Sequence, residues 1–385
     1  MSTETGKATR SVNTMEFAVS KSDLVRELSL SQGVVEKKTT IPILSNVLIE
    51  AEGDRINLTA TDLELGIRCS CPAKVKKQGA GTIPAKRLLD YVRLLPEAEL
   101  EVKLLDNNWA SMVCGRSRTR IAGMSRESFP ELPQMPDVLA EIPVKTLAAM
   151  IGKTIFSISA EESRFTLNGA LLILKNNGIV MVATDGHRLA MVEQAMEFSD
   201  LPSAYRALLP RKAMGEIQKL ASESGDDAKI KFAGDENHLF FRIGDRLLLS
   251  RKLTGNFPDF ERVLPKDHPH SIALSRDDLR AAIERVAQFS DERSRAIKVR
   301  VLAGEVKIHS SLSETGESEE SIPNEYDGSP VEIGFNAQYL LDFLRAVPES
   351  NVSFHFRDPQ SAGELRPVTE DEAQTYRYVV MPMRI

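Results

Sequence analysis

The chain has 385 residues, 42% of them hydrophobic and 27% charged, with a formal net charge of −6. Such a length allows two or three domains, the composition suits a soluble globular fold, and the acidic balance argues against nucleic-acid binding by the whole surface. No apolar run approaches the roughly 20 residues of a membrane span, and three cysteines without a C-x-x-C spacing, Cys69, Cys71 and Cys114, argue against a disulfide framework or a zinc site.

The opening "MSTETGKATRSVNT" is polar and lacks the apolar core of a secretory signal, so residues 1–14 read as a floppy lead-in and ordered structure as starting at Met15. "KSDLVRELSL" then has helical spacing, and "NVLIEAEGDRINLTATD" reads as two strands around a Gly-Asp turn. Cys69 and Cys71 stand two apart in a strand-like run, so they share a face and serve packing. "PAKRLLDYVRLLP" from Pro84 is an amphipathic helix with proline at its first position. "KLLDNNW" from Lys103 reads as a hairpin turn, with Trp109 packed, and "FPELP" at Phe129 closes the unit.

The same order then restarts twice. "PVKTLAAMIGKTIF", the hairpin "ALLILKNNGIVMVATD", the helix "PRKAMGEIQKLAS" and "FPDFERVLP" make a second unit. "SRDDLRAAIERVAQF" and the Asn-capped "NAQYLLDFLRAVP" belong to a third, with the "ETGESEES" between them expected to be a mobile, solvated loop. The second helices start at Pro84, Pro210 and Asn336, 126 residues apart both times. In register, Leu88 meets Met214 and Leu340, Tyr91 meets Ile217 and Phe343, and Leu95 meets Ala221 and Val347. In the earlier helices Leu24, Leu147 and Leu279 align, as do Leu28, Ile151 and Ile283. Arg93, Lys219 and Arg345 recur on the polar side, either as a solvated face or as one that meets an anion. Helix, hairpins, helix, hairpins, three times over, predicts an α+β fold with antiparallel sheets and domains at 15–135, 136–265 and 266–385.

The repeats sort structure from function. Thr61-Asp62 matches Thr184-Asp185, so that pair is architecture, whereas Gly186-His187-Arg188 occurs in the middle unit alone and is the functional candidate. A hydrolase built on Asp185 and His187 is the alternative reading, but no nucleophile signal accompanies them. His238, His268, His270, His309 and His355 are scattered, and "DHPH" (267–270) reads as loop before metal ligand. No phosphate-cradling glycine motif is present, so no cofactor and no metal are expected.

The runs "TIPILSNVLIEAEGDRINLTATDLELGI" and "FTLNGALLILKNNGIVMVATDGHRLAMV", with "FPDFERVLP" and the terminal "YVVMPMRI", resemble the bacterial DNA polymerase III beta subunit family, the replication sliding clamps. The resemblance covers Met15 to Ile385. It implies the DNA clamp fold: three domains, each with two inner helices and outer antiparallel sheets, in a ring-shaped head-to-tail homodimer around duplex DNA. The implied activity is non-catalytic and cytoplasmic, tethering the polymerase III alpha subunit, the clamp loader, and other polymerases and repair proteins, with no membrane partner.

Carried over by motif, a peptide-binding pocket would be lined by Arg164, Thr166 and Leu167; by Thr184, Gly186, His187, Arg188 and Leu189; by Pro258, Val263, Asn336 and Tyr339; and by Val379, Met381, Pro382, Met383, Arg384 and Ile385. His187 and Arg188 would hold a carbonyl or polar group of the peptide at the rim. DNA-facing candidates are Lys38, Lys86, Arg87, Arg93, Lys145, Arg164, Phe165, Lys212, Lys219, Arg262, Arg280 and Arg345, making non-specific contacts. The dimer interface would use Thr119, Ile121, Gln288 and Phe289, with Thr119 and Gln288 more polar than the family pattern.

Overall fold

In the computed structural model the described residues are 14–35, 40–198, 201, 203–312 and 316–384. They form two compact units, one of residues up to Val144 with Gly215–Arg251, the other of Lys145–Met214 with Lys252 onward. The expected lead-in falls outside the described residues except for Thr14.

Six α-helices carry the recurring apolar positions: α1 Lys21–Ser31, α2 Ala85–Leu94, α3 Val144–Thr154, α4 Arg211–Ser222, α5 Arg276–Val286 and α6 Ala337–Ala346. Leu24, Leu28, Leu88, Leu147, Ile151, Met214, Ile217, Leu279, Ile283, Leu340 and Phe343 are all buried, the inward stripe that 3.6-residue spacing demands. α1 packs on α2, and α5 on α6. Proline is not the first helical residue. Pro84 and Pro210 each end the preceding strand, at Gly79–Pro84 and Tyr205–Pro210, and the helix begins one residue later. Asn336 caps α6 as expected, its Oδ1 accepting from Gln338 N at 2.9 Å.

Every named strand pairing is antiparallel. In the first unit the 13-residue strand Leu65–Lys77 is the spine. Its second half pairs with Met15–Ser20, and its first half lies between Arg55–Thr61 and Arg246–Arg251. Sheet pairing therefore runs from residues of the first repeat into residues of the second, which is why three sequence repeats condense into two units. In the second unit, Arg188–Ala195 pairs in the same way with the C-terminal strand Gln374–Val380. A separate four-stranded sheet ends on Gly316–Pro323.

The three predicted hairpins form: Glu52 pairs with Arg55, with Gly53 at φ +60°, Leu104 pairs with Ala110, and Lys175 pairs with Gly178. Cys69 and Cys71 are buried in one core, and burial raises both thiol pKa values, that of Cys71 to about 12. Two expectations fail. Residues 316–321 of "ETGESEES" remain largely exposed but lie in strand Gly316–Pro323 and not in a loop, with Lys307 of the neighbouring strand bonding Glu319 and Arg285 of helix α5 bonding Glu320. Trp109, expected to pack, keeps 41% of its surface exposed because it opens its strand beside the turn.

Candidate functional site

The Thr-Asp pair builds the same turn twice. Thr184 Oγ1 donates to Arg188 O at 2.6 Å and accepts from Gly186 N, while Asp185 Oδ1 accepts from the N–H groups of His187 and Arg188. In the first repeat Thr61 Oγ1 donates to Leu65 O and accepts from Leu63 N, and Asp62 Oδ1 accepts from Glu64 and Leu65. The third residue is left-handed in both, Leu63 at φ +77° and Gly186 at φ +90°. Asp185 also takes Arg188 Nε on its other oxygen at 3.0 Å. Its carboxylate is thus committed to the turn and to Arg188, and His187 points to solvent with its ring 6.5 Å from that of Tyr339.

Against this turn lies a cavity of about 120 Å³, lined by Leu167, Thr184, Gly186, Arg188, Leu189, Pro258, Phe260, Val263, Val379 and Met381. Nine of these ten carry the expected pocket positions; Phe260 was missed, although "FPDF" is the second unit's version of "FPEL". The walls are almost wholly apolar, and Phe260, Leu189 and Val379 belong to the buried core beneath.

At the matching place in the first repeat, Pro130 and Leu132 line a different and more open cavity of about 420 Å³. Leu132, the counterpart of Phe260, and Met135 pack on Leu247 and Leu249, and Leu249 pairs with Gly66 as Val379 pairs with Leu189.

Arg188 departs from expectation. Its guanidinium does not wait at the rim for a ligand: Nη2 donates to Phe156 O at 2.6 Å, Nη1 to Asp342 Oδ2 at 2.6 Å and to Tyr378 Oη at 3.4 Å, and the group sits 4.4 Å from the centre of the Tyr339 ring. Burial works to lower its pKa, but the phenol of Tyr378 and the carboxylates of Asp342 and Asp185 outweigh it and the net shift is upward. A guanidinium with its planar fork already filled is a structural tie.

The other expected pocket residues are not among those lining the cavity. Arg164 Nη1 donates to Asp185 O at 2.9 Å and its Nε pairs with Glu161. Thr166 is the atom neighbour that a Cβ on Gly255 would strike, and Asn336 is the α6 cap. Met381 N donates to His187 O and Met383 N to Gly334 O, fastening the tail on either side of Pro382. Arg384 is exposed, and Ile385 lies outside the described residues.

Of the DNA-facing candidates, Lys38 lies outside the described residues. Lys86, Arg87, Arg93, Lys145, Lys212, Lys219, Arg262 and Arg345 are exposed, Arg280 is half-exposed, and Phe165 is 70% exposed, a large apolar surface in water. Several are already paired within their own helix or turn: Lys86 with Asp90, Lys219 with Glu216, Arg262 with Asp259, and Arg280 with Asp277. Arg345 reaches Glu284, and Arg93 bonds Ser29. The exposed pairs among these cost little to exchange for a phosphate, whereas Lys219 holds a carboxylate, Glu216, that is 6% exposed.

At the expected interface, Thr119 and Ile121 lie on Ser117–Ala122, the end strand of its sheet. Ile121 is a correction: it is 4% exposed and packs in its own core, so that strand offers a partner its backbone there and not this side chain. Gln288 is exposed and Phe289 half-buried, on the turn Ala287–Phe289. The histidines of "DHPH" are packed residues: His268 stacks obliquely near His355, and His270 lies against Tyr326 and Phe356. No group of three His, Cys, Asp or Glu side chains suited to a metal occurs among the described residues.

The chain belongs to the DNA polymerase III beta subunit family, matching its N-terminal domain over residues 15–133, its central domain over 141–259 and its C-terminal domain over 261–384. Among its curated relatives are the beta sliding clamp of Chlamydia pneumoniae, 34% identical over 372 residues (96% of this chain and 99% of the relative), and that of Caulobacter vibrioides, 35% identical over 381 residues (96% and 100%). The sliding clamp of Pseudomonas aeruginosa, solved with griselimycin bound, superposes with a TM-score of 0.90 at 32% identity, over 96% of this chain and all of that one.

Proposed function

We propose that the chain acts as a sliding clamp of bacterial DNA polymerase III, a processivity factor that binds without catalysing, and that the 120 Å³ cavity beside Gly186 docks a short apolar peptide from its clients. The observation that carries this reading is the assembly of Leu167, Leu189, Val263, Val379 and Met381, drawn from distant parts of the sequence, around one apolar hollow. Met381 suits a site that accepts several partners, because an unbranched thioether repacks easily. The clients would be the alpha subunit, the clamp loader, and other polymerases and repair proteins; the location would be the cytoplasm.

Duplex DNA would be held topologically by a head-to-tail homodimer, with Lys86, Arg87, Lys212 and their companions making sparse phosphate contacts. Two end strands support that assembly. Ser117–Ala122 and Gly316–Pro323 each close a sheet and present unpaired backbone. The first carries Arg118 and Arg120, the second Glu317, Glu319 and Glu320, so one protomer's basic edge complements its partner's acidic edge.

Fluorescence anisotropy of a labelled Gln-Leu-x-Leu-Phe peptide tests the pocket, comparing the full chain with one ending at Val380. Saturable binding that disappears on truncation is expected, because the tail brings Met381 to the cavity. A folded full-length chain that fails to bind overturns the pocket reading.

A further inference from the structure

Next to the pocket lies a charged layer that no step above requires. Strand register places Leu189 beside Val379, Val379 beside Glu364, and Glu364 beside His355, one cross-strand row running out of the pocket floor. Directly opposed residues share a face, so the apolar floor passes without a break into a carboxylate that is 0% exposed.

Glu364 is held from both sides. Arg377 donates to it from Nε at 2.5 Å and Nη2 at 2.9 Å, Arg366 donates from Nε at 2.8 Å, and His268 Nε2 lies 3.3 Å away. Burial opposes its charge, but the hydrogen bonds from Arg377 and Arg366 prevail and keep its pKa at about 2. A buried carboxylate this well satisfied is stiff, since any displacement uncovers an unpaired charge.

Arg377 does one thing more. Its Nη2 donates to Pro265 O at 2.7 Å. Pro265 follows Val263 and Leu264, whose N–H groups both bond back to Phe260 O. The pocket's outer wall is therefore fastened at one end by the turn at Phe260 and at the other by Arg377, two residues along the strand from Val379 and on the same face.

We propose that Arg377, anchored by Glu364, is a positioning residue for peptide docking: it ties the Val263 wall to the strand that forms the Val379 floor and so sets the width of the pocket. This rests on the pocket reading given above. Arg366 supplies the internal comparison, because it binds the same carboxylate but makes no hydrogen bond or ion pair to the 263–265 segment.

The test is peptide anisotropy and thermal unfolding on the full chain and on Arg377→Leu, Arg377→Lys and Arg366→Leu. Both leucine variants lose a partner of Glu364, so both should lower the unfolding midpoint. Only Arg377→Leu should raise the peptide Kd, by roughly tenfold, a loss equivalent to about 1.4 kcal/mol. Arg377→Lys, which keeps the charge but not the fork, should fall between it and the unaltered chain. A folded Arg377→Leu within twofold of the unaltered Kd overturns the proposal, as does an Arg366→Leu weakened equally. Should Arg377→Leu not fold, Arg377→Lys decides by the same criterion. Failure of the unaltered chain to bind is a separate result, and it removes the pocket reading itself.

Discussion

Arg188 Nη1 donates to Asp342 Oδ2 across 2.6 Å, tying the turn after strand Gly178–Thr184 to helix α6. The Arg188 side chain is 9% exposed and holds Asp185 as well, so its removal takes the ion-pair partner from two carboxylates. Breaking a buried pair from one side costs about 3–5 kcal/mol, and Arg188→Ala should lose that much in denaturant unfolding. Arg188→Lys should recover little, since one ammonium cannot serve Asp185, Asp342 and Phe156 O together. A loss under about 1 kcal/mol would make the tie incidental.

Phe260 forms both the cavity lining and the buried core under it. Phe260→Ala should destabilise the chain by about 3–5 kcal/mol and enlarge the hollow. Peptide affinity should fall as well; unchanged affinity in a folded variant would mean that the peptide sits elsewhere.

The twin turns allow a paired experiment. Gly186→Ala forces a side chain into φ +90°, with its Cβ 3.0 Å from Arg164 Nη1, and should cost about 1–2 kcal/mol. Leu63→Gly relieves the same backbone strain at φ +77° in a residue left 47% exposed, so it should be neutral or stabilising by up to about 1 kcal/mol. Equal destabilisation by both changes would contradict the assignment of strain to that third position.

His268 and His355 both have pKa values below 6.5, first because burial disfavours the charged ring, with Arg366 and Arg377 adding to the effect against the opposing charge of Glu364. The unfolded imidazoles therefore bind protons before the folded ones do. Their contribution to stability is complete above about pH 6.5 and declines as pH falls from there toward the lower folded values. The thermal midpoint should drop between pH 7 and 5, and less steeply in a His268→Asn, His355→Asn chain. Identical slopes would assign the acid sensitivity to other groups.

Charge complementarity between Ser117–Ala122 and Gly316–Pro323 makes the proposed dimer salt-sensitive. By sedimentation, Arg118→Glu with Arg120→Glu should favour monomer, and adding Glu317→Arg with Glu319→Arg should restore the dimer in part. A dimer indifferent to both charge reversal and salt would place the interface away from these edges.

The repeat, the helices and the hairpins were legible in the sequence because each depends on short-range periodicity: Leu88, Met214 and Leu340 declare an inward stripe wherever they fall. The motif resemblance likewise located nine of the ten cavity residues. What it could not convey was role. Arg188 looks like a ligand contact in a string of polar residues, and only the folded chain brings Asp342, Phe156 O and Tyr339 around it, from 154 residues away in the case of Asp342. Ile121, read as interface, turned out to be core, because alternation along a strand does not say which face is covered. The acidic run 316–321, read as a loop, is a strand paired with Glu305–Leu312, with Lys307 and the α5 residue Arg285 bonding its carboxylates.

The sequence by itself determined the period, the element types and the family, since these are written in local spacing and in motifs. Tertiary structure alone decided that Leu132 packs on Leu247 and Leu249 from the far end of the first unit's sequence, and that Glu364 lies buried beside the pocket floor. Both are matters of which distant side chain arrives to cover a surface, and long-range packing, unlike periodicity, leaves no mark on neighbouring residues.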